Sequence, residues 1–144
     1  KLVVEESVTW KYNAGADYKI RKSGKYPKYV FRSHRSGPQV LIYRIGGFDK
    51  DSLYRIDLGF AEVWGDNCKK NARLLSIRVN DRAYRNFNTN PLDVYSEAGC
   101  GGAHVVSYVQ TPDKSGMFEI VIGARQDSVK DKNAMISYID IMKP

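Results

Sequence analysis

No apolar run in the chain is long enough to cross a bilayer as a helix. There are only two cysteines, Cys68 and Cys100, without Cys-x-x-Cys or Cys/His spacing, which argues against zinc and against a disulfide-dependent miniprotein. Reduced thiols are the expectation, with one bridge as the alternative in a secreted chain. Histidine is equally scarce: His34 falls in a basic loop and His104 beside a β-branched run, and neither has the partner motif that nucleophilic catalysis requires. "DKDS" at 49–52 lacks the rest of a calcium loop, and "GCGG" at 99–102 lacks the Lys-Ser/Thr and helix of a phosphate-cradling loop. Asp57 and Glu62 lie an odd number of positions apart, on opposite faces of a regular strand, so they do not pair as glycosidase acids. No enzyme, metal or cofactor is expected. No Asn-x-Ser/Thr acceptor occurs, which fits a cytosolic rather than a secretory setting. The absence of an initiator methionine before Lys1 fits an excised domain or processed product.

Acidic residues are missing from one whole stretch. Between Asp17 and Asp49 there is none, while Lys19, Arg21, Lys22, Lys25, Lys28, Arg32, Arg35 and Arg44 all fall there. These eight cations account for the net charge of +7, since the other 15 basic residues nearly cancel the 16 acids. Such an edge suits an acidic protein partner, and it equally suits strand-edge lysines that discourage aggregation; nucleic acid is not the expected partner.

What the sequence does have is period-two alternation. With 144 residues, a single domain over 1–144 is expected. Strands are predicted at 28–33, 39–45, 53–64, 74–80, 82–87, 104–110, 117–124 and 134–143, each β-branched and aromatic. Between them stand turn clusters such as "IGGFDKDS", "EAGCGG" and "TPDKSG", and "VNDRAY" reads as a two-residue hairpin turn at Asn80 and Asp81. No window carries a helical apolar stripe. The fold class is therefore all-β, a jelly-roll-like sandwich of two antiparallel sheets. In "LYRIDLGFAEVW" the core face is Tyr54, Ile56, Leu58 and Phe60; Glu62 then implies that the strand leaves the core, with Trp64 at the rim.

Aromatics are the remaining resource: ten Tyr, five Phe and two Trp. Rings with polar tips suit a partly exposed binding surface on which sugar C–H faces stack. Tyr12, Tyr18, Tyr26, Tyr29, Tyr43, Trp64 and Tyr95 adjoin loops and are the candidates.

Several segments resemble the malectin and malectin-like domains: "YNAG" near the start, "YRIDLGFAEVW", "IRVNDRAYRNFN", "MFEIVIGA" and the closing "KNAMISYIDIMK". The resemblance implies a jelly-roll carbohydrate-binding module with a glucose-oligosaccharide site built from edge loops. Carried over by position, it implies contacts from Trp64, Tyr43, a first-loop tyrosine (Tyr18 or Tyr26) and Asp131 or Asn133. Gly65 stands where a second aromatic is expected, and Lys132 where the loop acid is. Relatives attached to kinesin-type motor proteins imply the alternative, a cytosolic interaction domain binding an acidic partner through the 19–35 surface.

Overall fold

A computed structural model describes residues 3–144. In chain order its strands are β1 (Val3–Glu6), β2 (Trp10–Asn13), β3 (Ser33–Pro38), β4 (Val40–Gly46), β5 (Tyr54–Ala61) and β6 (Leu75–Val79). They continue with β7 (Arg82–Ala83), β8 (Ala103–Gln110), β9 (Phe118–Ala124), β10 (Asn133–Ile136) and β11 (Tyr138–Met142), and one short helix, α1 (Val94–Ala98), precedes β8.

Five strands form one layer in the order β1-β4-β9-β6-β7. The other layer joins β11-β5-β8 to β10-β3-β2. The joint is a single stretch interrupted at Ser137: its first half pairs with β3 and its second with β5, and the Ser137 N–H donates to the Gly59 carbonyl at 2.8 Å. All the ladders are antiparallel. The fold is the all-β sandwich that the alternation implies.

The core forms because alternate residues of facing strands point inward. Leu41, Tyr43 and Ile45 of β4 and Phe118, Ile120 and Ile122 of β9 meet Tyr54, Ile56, Leu58 and Phe60 of β5, all buried. Each such side chain contributes about 1.5–3 kcal/mol of transfer free energy. The opposite face of β5 is also covered. Residues 14–32 wrap over it, placing Ile20 and Phe31 against Ala61 and Val63. Gly59 is required there, because the Tyr138 ring lies where any Cβ would sit.

Four expectations change. Residues 28–33 are not a strand: Lys28–Phe31 is a 3-10 turn started by Pro27, which has no N–H for a ladder, and Phe31 plugs the second core cluster. The basic "loop" that follows is strand β3, paired on both sides, so His34 is buried within a sheet. Glu62 does not leave the core; it is 2% exposed. The 82–87 strand shrinks to Arg82–Ala83, although the predicted hairpin exists, with Val79 opposite Arg82 and Asn80 at a left-handed φ of 51°. β1, β2 and α1 appear without having been predicted. The helix is capped by Asp93, whose side chain accepts from the Ser96 N–H at 3.2 Å.

Candidate functional site

The rim of the second layer carries a recess of about 420 Å³. Edge strand β2 supplies one wall. Alternation puts Trp10 and Tyr12 on the same side, opposite Ser36 and His34 of β3. Trp64, just beyond β5, forms the other wall; its ring meets Tyr12 edge-on with centroids 5.1 Å apart. Trp10 and Trp64 are 50% and 44% exposed, so each keeps a ring face available to a ligand.

The floor is a charge network centred on Arg73. Its Nε and Nη2 donate to the two Glu62 carboxylate oxygens at 2.9 and 3.2 Å, and Nη1 donates to the Asn133 carbonyl at 3.1 Å. Asp131 lies 3.3 Å from Nη2 and also accepts from the Asn67 amide at 2.8 Å and the Asn133 N–H at 2.9 Å. This answers the puzzle of a carboxylate on an apolar strand face: Glu62 stays buried because Arg73 meets it bidentately. Burial raises its pKa, and the charge and hydrogen bonds of Arg73 work against that rise. Burial, then the Arg73 charge, hold His34 down at about 4, so its imidazole is neutral at pH 7; Nδ1 has no hydrogen-bond partner among the described residues.

Of the predicted sugar contacts, the fold brings Trp64, Asp131 and Asn133 to this recess and leaves the three tyrosines elsewhere. Tyr43 is 6% exposed, on the inward side of β4, and lines a different groove beside β1. Tyr26 packs on Tyr138 with centroids 4.6 Å apart and donates its hydroxyl proton to Asp57. The Tyr18 hydroxyl lies 3.8 Å from Cys100 Sγ. Both are held in the covering segment, over the face of β5. Trp10, His34 and Arg73 were not anticipated. The "WKY" alternation at 10–12 was the available signal for the first; nothing local in the sequence marks the other two.

The predicted basic surface is partly consumed inside the fold. Arg21 donates to the Ala98 and Cys100 carbonyls at 3.4 and 3.0 Å, Arg32 donates to the Tyr18 carbonyl at 3.1 Å, and Lys25 sits 3.6 Å from Asp57. Lys19, Lys22 and Lys28 are exposed, and Arg35 is half-buried. The cysteines are not reduced: Cys68 and Cys100 form a disulfide, with Cα atoms 5.2 Å apart. Thirty-two residues separate them, and only the fold brings the turn after Trp64 beside the turn after α1.

Aromatic faces beside fixed hydrogen-bonding groups, at the rim of an antiparallel sandwich, define a β-sandwich with a ligand-sized recess. Among solved structures the chain is similar to the plant receptor-like kinase ANX2, with a TM-score of 0.82, 19% identity and 97% of this chain covered. It is also similar to the ANXUR1 extracellular domain from Arabidopsis thaliana (0.81, 18%, 95% covered) and to the structure of the plant peptide RALF23 in complex with FER and LLG2 (0.76, 18%, 92% covered). The chain spans 38–39% of the length of those chains. The fold is that of a malectin-like domain. No family model matches the sequence, and no curated protein matches it.

Proposed function

We propose that the chain is a non-catalytic binding module whose recess takes a glucose-type oligosaccharide. One observation carries the reading: Trp10, Tyr12 and Trp64 line the same recess as Asp131 and Asn133. Aromatic faces receive the C–H side of a sugar ring while fixed polar groups bond its hydroxyls, and in such sites a few rings dominate affinity. Asp131, which lines the recess, and Glu62 beneath it are both held by Arg73, so the recess offers fixed polar partners beside its rings.

The disulfide favours an oxidising compartment over the cytosol. In one neighbour the assembly contains a peptide and a second protein, which keeps a protein partner as the second reading. For this chain such a partner would be acidic and would meet Lys19, Lys22, Lys28 and Arg35, the cations of the 19–35 segment that, among the described residues, neither pair with an acid nor donate to a backbone carbonyl.

A glycan array followed by calorimetry tests the first reading. A glucose-containing oligosaccharide is expected to bind, and Trp64→Ala to weaken it by at least about tenfold. No glycan bound at millimolar ligand, or affinity indifferent to the substitution, removes the carbohydrate site.

A further inference from the structure

A second recess, of about 450 Å³, opens between the 22–26 loop and strands β5 and β8. We propose that it binds a phosphate or sulfate monoester. Three cations, Lys22, Lys25 and Arg55, line it together with one acid, Asp57. That carboxylate is fully buried and already answered: Ser107 Oγ donates at 2.6 Å, Arg55 Nε donates at 2.9 Å, Tyr26 donates its hydroxyl proton, and Lys25 Nζ lies 3.6 Å away. Among the residues that line the recess, cations therefore outnumber carboxylates by two.

The donors are not exhausted. Arg55 directs Nε to Asp57 and brings Nη2 within 3.5 Å of Ser107, which leaves further guanidinium protons on a side chain 44% exposed. Lys25 is 57% exposed, and Lys22 has no acid partner among the described residues. The sequence leads to this directly: the covering segment has no acid after Asp17, and it folds against a face on which Asp57 is beneath the surface, with Asp140 opposite it in register on β11. Convergent like charges repel, and a compact multivalent oxyanion relieves that repulsion while accepting charge-assisted hydrogen bonds. Ala103, Val105 and the Tyr26 ring, with Lys25 Nζ 5.1 Å from its centroid, give the organic part of an ester an apolar wall. None of these residues lines the aromatic recess, so this site stands or falls independently of sugar binding.

The test is an NMR titration of the whole chain with phenyl phosphate, phenyl sulfate and the two inorganic anions, against sodium chloride at matched ionic strength. Saturable shifts are expected at the amides of Lys22, Lys25 and Ser107, and the stronger of the phosphate and sulfate arms names the ester. Lys22→Glu, an exposed and structurally benign change, is expected to weaken binding by about tenfold. Lys114→Glu, which alters net charge equally but lines neither recess, is expected to leave it within about twofold. Shifts that never saturate, or an equal loss in both variants, overturn the proposal, because either result reduces the effect to general screening.

Discussion

Arg73 shows how much of the candidate site rests on one side chain. Its guanidinium holds Glu62 bidentately, approaches Asp131 and fixes the Asn133 carbonyl, so it sets both the floor of the recess and the registration of two predicted hydroxyl partners. With Arg73 4% and Glu62 2% exposed at their side chains, removing one partner leaves an uncompensated buried charge. Arg73→Met is therefore expected to cost about 3–5 kcal/mol of folding stability, whereas Glu62→Met with Arg73→Met should recover most of it. Urea denaturation of the two variants checks this; a single variant losing under about 1 kcal/mol would mean that the pair is not desolvated as described. Glu62 was visible in the sequence as an anomaly on an apolar face. Its resolution was not, because the compensating cation is eleven residues away and no periodicity links the two.

At the level of elements, legibility followed local period. β4, β5, β6, β8 and β9 show clean alternation, and the strands lie where it put them, with Tyr54, Ile56, Leu58 and Phe60 facing the core. β2 and β3 were hidden because their stability comes from neighbours: β3 contains Gly37 and Pro38 and is held by pairing with β2 and β10 rather than by propensity. Trp10 of β2 and His34 of β3, which both line the recess, are hidden with them. No local period links the two cysteines either; their bridge clamps the 65–68 turn following Trp64 to the turn after α1. Asn67, inside the first turn, also bonds Asp131, so the bridge braces both a ring and a carboxylate of the recess. In the chain-entropy account a loop of this length contributes about 3–4 kcal/mol. Reduction is thus expected to lower the melting temperature by on the order of 10 °C, and Cys68→Ser with Cys100→Ser should reproduce the loss without reductant. A scan with and without dithiothreitol reads it; equal melting temperatures would show that the turns are held by packing alone.

For the whole molecule the question is how a net charge of +7 coexists with a recess proposed to take an uncharged ligand. The fold separates the two. Among the groups that line the aromatic recess Lys11 and Arg73 stand against Asp131, with buried Glu62 meeting Arg73 from beneath, while most of the surplus lies on the segment that covers β5. A neutral oligosaccharide stacked on Trp10 and Trp64 gains contact energy that salt does not screen, whereas an acidic partner on Lys19, Lys22, Lys28 and Arg35 depends on attraction that fades beyond a Debye length of about 8 Å at physiological salt. Raising sodium chloride from ~50 mM to ~500 mM is expected to change glycan affinity by less than about twofold, while an acidic partner should lose at least about tenfold. Calorimetry at the two salt concentrations separates the two readings. A glycan affinity that falls steeply with salt would mean that the ligand engages the cationic face, and the division of the surface into a balanced recess and a charged cover would fail with it.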